Sequence, residues 1–446
     1  MKRLIATALL APLLAAASAA ALTIDEAVEM ALAGNHRIKE ARHLEESAAA
    51  RVGTSRSSFF PSLDVDYGYR QGEQELPGIG KENSAFTVAL SYNLFRGKGD
   101  AHRLAAARAG ADAASYSRSS VEADIALAVQ WAFIDVLKAA RSVETAAEGV
   151  RLLEEQREDA DRFYQQGLTA KNDLLRVEVE LSSARQNLLR VEGDHRLARK
   201  GLVRLLGAEL PDDEPLEAFE GLPELAELSF PDLREEMMVN RSEIRYLTSI
   251  QTSLEEARDA RKAPFWPRVD VVLSHDNFGD TLFPEGRDGG FDSDTAARLN
   301  ATWNLYNGRR TRSEVEEAAA LARANAEALE DTEAELVLQL ETALERYRVA
   351  RANSETARVA VEQAEENYRV NESLYRARLG TGTDFVDARF FLTRSRNEHT
   401  DALAETFKAV TGLQRVLERP RPSSPAAPRG TGEGRPGAGE SSVRNP

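Results

Sequence analysis

Six histidines and no cysteine limit the chemistry open to this 446-residue chain. His36, His43, His102, His195, His275 and His399 are scattered, with no metal-ligand spacing between them and no triad motif around any of them. His275, in "LSHDNFGD", sits beside an expected strand end and reads as a rim residue. The lack of cysteine removes thiol catalysis, disulfides, thiolate metal sites and a lipidated N-terminal cysteine, and it is compatible with an oxidising compartment. Carboxylates are abundant, but they fall on helical stretches as charged faces that water ordinarily covers. A hydrolase built from them would need a compact cleft, of which the pattern shows no sign. A literal GxGxxG, "GEGRPG" at 432–437, has no strand before it and no helix after it, so it is no nucleotide site. A formal charge of -16 argues against nucleic acid, because phosphate binding needs a basic face. No cofactor is implied.

The elements around these residues are written twice. "ALSYNLFRGKGD" (89–100) is echoed by "ATWNLYNGRRT" (301–311), and "FYQQGLTAKNDLLRVEVELSSAR" (163–185) by "LYRARLGTGTDFVDARFFLTRSR" (374–396). A looser pair matches the stretch from Asn35 to Pro61 with that from Asn240 to Pro267. Each half reads helix, strand, loop, strand, long helix, turn, long helix. Residues 22–207 form the first repeat, 208–230 a proline-punctuated connector, and 231–418 the second repeat. Residues 1–21 read as a secretory signal peptide: Lys2 and Arg3, an apolar run from Leu4 to Leu14, then small residues near Ala19 to Ala21. Residues 419–446 are rich in Pro, Gly and Ser and are expected to be disordered.

The helices are long. Little interrupts Gly308 to Arg378, where Leu336, Leu340, Leu344 and Tyr347 recur at helical spacing, and Gly99 to Gln165 carries Val121, Ile125, Ala128 and Ala132. These narrow, alanine-rich stripes suit coiled-coil packing, although periodicity alone does not separate that from an ordinary bundle.

Four short stretches change period to two. In "SLDVDYGYR", Leu63, Val65, Tyr67 and Tyr69 oppose Asp64, Asp66, Gly68 and Arg70; in "SAFTVALSYNLF", Phe86, Val88, Leu90, Tyr92 and Leu94 oppose Thr87, Ala89, Ser91 and Asn93. "VDVVL" repeats the first, and Leu299, Ala301, Trp303 and Leu305 against Arg298, Asn300, Thr302 and Asn304 repeat the second. Strands of about ten residues with one apolar face and aromatic ends match a transmembrane barrel, although a half-buried soluble sheet also alternates. Four strands cannot close a barrel, so if they span they must be pooled between copies of the chain.

The succession "FFPSLDVDYGY", "YNLFRGKG", "FYQQGLTAKNDLLRVEVELSSAR", "RLLG", "FWPRVDVV", "WNLYNGRR" and "YRARLGTGTDFVDARFFLTRSR" resembles the TolC-like outer membrane efflux proteins, in order and in both halves, from about Leu22 to Leu417. The resemblance implies a mainly α fold with a small β part. Duplicated long helical hairpins would form an α-helical barrel through the periplasm, and a homotrimer would share a twelve-stranded β-barrel among outer membrane lipids. It also implies an exit duct for a tripartite efflux pump or a type I secretion system. Its partners would be a periplasmic adaptor protein and an inner-membrane transporter of the resistance-nodulation-division, ABC or major facilitator type. Selectivity in such machines belongs mainly to the transporter, so the resemblance does not choose between drug, metal and protein cargo.

By the same resemblance the turns "GLTAKND" (167–173) and "RLGTGTD" (378–384) form the periplasmic tip, with Gly167, Leu168, Leu379 and Gly380 meeting the adaptor. Asp384 and Asp387 fall where carboxylates ring the closed entrance, and Asp173 and Tyr375 where contacts hold it shut. The second turn departs from the family pattern: Arg378 stands where glycine is usual, and Gly380 where some members carry a basic gate residue. Asp173 or Asp384 could also simply cap the returning helix. A periplasmic coiled-coil adaptor or scaffold is the alternative function; it accounts for the long helices and leaves the strand pairs without a purpose.

Overall fold

The computed structural model describes residues 21–76, 80–211, 214–218, 229–288, 290–377 and 379–419. The expected signal peptide apart from Ala21, the expected tail beyond Arg419, part of the connector, and Arg378 lie outside the described residues. The element order is α1 (Ile24–Gly34), α2 (His36–Ser57), β1 (Ser62–Leu76), β2 (Gly80–Arg96), α3 (Gly99–Gln165), α4 (Lys171–Leu206), then α5 (Phe230–Asn240), α6 (Ser242–Arg261), a 3-10 turn, β3 (Arg268–Gly279), β4 (Ser293–Thr302), α7 (Arg310–Arg376) and α8 (Gly382–Leu417). Each series opens with two helices where one was expected. The chain is extended at Asn35 and at Arg241, which breaks the helix there.

Both breaks are held by a distant helix end. Asn35 caps α2 by accepting from the Arg37 amide at 2.9 Å, while its Nδ2 donates to the Leu205 carbonyl at 2.7 Å. Gly34 and Gly207 touch backbone to backbone: a Cβ on Gly34 would lie 2.5 Å from the Leu206 carbonyl, and Gly207, at φ +63, would meet Gly34 at 2.6 Å. In the second series charged residues do this work. Arg241 donates to the Arg415 carbonyl at 2.8 Å and pairs with Glu243 at 3.0 Å, while Glu418 accepts from the Ser242 amide at 2.8 Å.

The two 67-residue helices α3 and α7 extend for about 100 Å each. Each turns back into a 36-residue partner, α4 or α8. The stripe on α7 is as expected, with Leu336, Leu340 and Tyr347 buried. On α3 the buried set is Ile125, Val129, Phe133 and Val136, rotated from the expected stripe, with Val121 and Ala132 at its margin. The rotation follows from neighbours on several sides, since α3 packs against α1, α2, α4, α6 and α8. Burial concentrates where the short helices meet the long ones: α1 with α3 and α4 around Val28, Phe133 and Leu206, and α5 with α7 and α8 around Met237, Leu340 and Leu417. A third cluster, with Leu153, Val177 and Leu181, zips α3 to α4 towards the turn.

The strands form one antiparallel sheet in the order β1-β2-β3-β4. The register lines up Leu63, Leu90, Leu273 and Ala297 in one row, and Asp66, Thr87, Asp276 and Asp294 in a row on the opposite face. The apolar rows are exposed, Leu63 at 66% and Leu299 at 68%. At 15, 17, 12 and 10 residues, three strands outrun the expected ten, whereas β4 stops at Thr302, so Trp303 and Leu305 follow the strand. The Trp303 indole instead donates to the Phe265 carbonyl at 3.1 Å. His275 lies within β3 on the apolar face, its Nδ1 2.7 Å from the Thr295 hydroxyl, and not at a strand end. No helix among the described residues is long and apolar enough to cross a membrane.

Candidate functional site: the tips of the helical hairpins

The two turns are built alike because the sequence repeats there. At the first, the Leu168 amide donates to the Phe163 carbonyl at 2.9 Å; at the second, the Leu379 amide donates to the Leu374 carbonyl at 2.8 Å. Gly167 takes φ +68, a left-handed conformation that glycine adopts without strain. Gly380 closes its turn differently, donating to the same Leu374 carbonyl at 3.2 Å, and a side chain there would crowd the Leu374 Cβ at 3.1 Å. Leu168 and Leu379 project from the turns, 52% and 80% exposed.

Asp173 and Asp384 occupy the third position of the returning helices, so neither is the N-cap residue itself. Asp384 completes a capping box: its amide donates to the Thr381 hydroxyl at 3.2 Å, and its carboxylate accepts from that hydroxyl at 2.7 Å. At the first tip the cap position is Ala170, with no side-chain oxygen, and the Asp173 carboxylate accepts from the Thr169 hydroxyl at 2.6 Å. Asp387, one turn beyond Asp384 and on the same face of α8, is exposed and has no ion pair or hydrogen bond among the described residues.

Tyr375 is half-buried. Its ring stacks on Phe385 at 5.2 Å between centroids and 9° between planes, and Tyr368 packs on Phe385 at 5.5 Å. Burial pushes the Tyr375 hydroxyl above its ordinary pKa, and the Asp159 and Asp173 carboxylates add to the rise. The structure thus brings Tyr375 near Asp173, but no hydrogen bond joins them within the chain.

Sequence reasoning missed three arginines that tie the hairpins together. Arg176 on α4 donates to the Thr383 hydroxyl on α8 at 2.6 Å. Arg396 bridges Glu148 of α3 at 2.8 Å and Glu365 of α7 at 3.0 Å. Arg389 is buried in the seam, its nearest acceptor being Gln156 at 3.5 Å, and burial pushes its guanidinium below the ordinary arginine range against the opposing pull of Tyr368 and Glu180. The available signal was its place in an apolar stripe, between Phe385 and Leu392. Among the described residues no cluster of His, Asp or Glu is suited to hold a metal ion.

This combination defines a channel subunit: hairpins about 100 Å long end in an exposed carboxylate turn, and at their other end stands a sheet with an exposed apolar face and two open edges. The model of the outer membrane efflux protein family matches residues 27–208 and 233–418, and the chain belongs to that family. Its fold is similar to the Campylobacter jejuni CmeC outer membrane channel, at TM-score 0.78 and 16% identity over 88% of this chain and 85% of that one. It is similar to a membrane protein from Pseudomonas aeruginosa, at TM-score 0.77 and 18% identity over 88% and 93%. The open state of the Neisseria gonorrhoeae MtrE outer membrane channel gives TM-score 0.73 and 17% identity over 88% of each chain. A segment of 166 residues is 25% identical to Protein CyaE of Bordetella pertussis, covering 36% of this chain and 35% of that protein.

The chain is therefore mainly α with a small β part. Its four-stranded sheet and its duplicated helical hairpins are the β part and the helical part of that channel fold. It resides in the outer membrane and extends into the periplasm. Family and fold are those of channel proteins rather than enzymes, and nothing in the comparisons supports the periplasmic adaptor alternative.

Proposed function

We propose that the protein is the exit duct of an efflux or secretion machine, conducting cargo through its lumen with no chemistry of its own. One observation carries this reading: a sheet whose apolar face meets lipid only when its edges are closed stands on hairpins long enough to cross the periplasm. The duct reading keeps the repeats at 22–207 and 231–418, joined by the connector 208–230. The hairpin tips form the entrance. There Asp384 and Asp387 line the axis, the Asp173 and Tyr375 contacts between neighbouring subunits hold the tips together, and exposed Leu168 and Leu379, with Gly167 and Gly380, meet a periplasmic adaptor. An inner-membrane transporter of the resistance-nodulation-division, ABC or major facilitator type feeds the assembly.

The test is conductance. Purified protein in planar bilayers is expected to form cation-attracting pores that trivalent cations block from the tip side. Protein released from cells by osmotic shock, without pores, would sink the duct reading.

A further inference from the structure

Where the strands give way to helices, at the far end from the tips, a cavity of about 930 Å³ opens on the polar side of the sheet. Arg96 and Arg268 face it from one cross-strand row, and Asp270 from the next polar row. Arg103 of α3 and Arg261 at the end of α6 complete a basic wall, and Trp266 adds an apolar one.

The guanidinium groups outnumber the carboxylates that pair with them. Arg96 and Arg268 share Asp270, the first at 3.3 Å. Arg103 pairs with the buried Asp100. Glu314, also in the wall, is engaged by Arg310 at 2.9 Å. Arg261 is exposed and has no carboxylate within ion-pair distance among the described residues. The Nε of Arg96 is buried with no hydrogen-bond partner. Guanidinium groups that outnumber their carboxylates favour an incoming anion, and arginine forks match tetrahedral oxyanions in shape.

We propose that this cavity is an oxyanion site that takes a phosphate or sulfate group carried by a molecule in the lumen. It rests on the polar face of the sheet lining the duct, and it lies apart from the entrance carboxylates. The full-length channel in planar bilayers would receive inorganic tripolyphosphate on the barrel side. The wild type is expected to show saturable block. Arg261→Gln, at an exposed position where folding is not at stake, raises the half-blocking concentration about tenfold, the loss of one charge-assisted contact. Arg261→Lys raises it less. A conducting wild type without block, or block as strong as the wild type's both in Arg261→Gln and in the Arg96→Gln/Arg268→Gln double variant, overturns the site and leaves the duct standing. Absence of any conductance removes the duct and the site's place in it together.

Discussion

At the scale of residues, the two entrance carboxylates are chemically different. Asp384 is committed to its capping box, whereas Asp387 has no partner among the described residues. Asp387→Ala is therefore expected to weaken trivalent-cation block with a stability change within about 0.5 kcal/mol. Asp384→Ala weakens block and also costs about 1 kcal/mol of hairpin stability. Thermal melts beside the block curves separate the two; block unchanged in both variants would mean that neither lines the axis, and equal melts would mean that the capping box adds no stability. Arg389 gives a second contrast. A buried charge with one weak acceptor is replaced at little cost by an apolar side chain of similar length, so Arg389→Met should leave the melting temperature unchanged or raise it. Gln156→Leu removes the acceptor and leaves the guanidinium buried, at a cost of about 1–3 kcal/mol. A melt in which Arg389→Met is the more damaging change would show the charge to be structural.

At the scale of elements, the two helix breaks hold the repeats together by different physics. The first depends on backbone contact. Gly207→Ala forces a Cβ into Gly34 at a left-handed φ and should cost about 1–3 kcal/mol. Gly201→Ala, inside the helix that Gly207 terminates and with nothing within 4 Å of the added methyl, should stabilise by up to about 1 kcal/mol. The second break depends on charge and hence on pH. Burial pushes the Glu243 carboxyl up, but Arg241 and Arg415 together outweigh it and hold it below its ordinary 4.5. A carboxyl depressed in the folded state contributes stability above its unfolded pKa and loses it as pH falls through the folded value. Melting temperature should accordingly fall as pH drops below 4.5, and Glu243→Gln should flatten that slope while lowering stability at neutral pH. An unchanged slope in the variant would assign the acid sensitivity elsewhere.

At the scale of the whole molecule, the open edges of β1 and β4 decide the assembly. Unpaired backbone groups are not tolerated in lipid, so the sheet inserts only within an assembly that pairs both edges. A trimer that dissociates on heating is expected on mild-detergent gels, and a monomer that inserts and conducts would contradict this. The boundary of the expected tail needs one correction. Arg419 forms a two-bond ion pair with Glu236, at 2.6 and 2.9 Å, so a truncation should spare it. Removing residues 420–446, which carry no apolar periodicity, is expected to leave the trimer intact.

Much of this molecule was legible in the order of its residues. The duplication, the ends of α3, the alternation of β1 to β3 and the stripe on α7 are local or periodic patterns, and periodicity is what a linear sequence records best. The turns at Gly167 and Gly380 were visible because a chain reversal needs particular residues at particular places. Other features depend on atoms brought together from distant parts of the chain. The rotated stripe of α3 was set by five packing partners, and the break at Asn35 by the carbonyl of Leu205. The pairing of β2 with β3 joins strands from opposite halves. The burial of Arg389 and the gathering of four arginines beneath the sheet exist only once helices and strands meet. Sequence could name the carboxylates at the tips, but only tertiary structure decided that Asp384 is bound to Thr381 while Asp387 stands open, because a capping bond depends on the backbone angle at the cap.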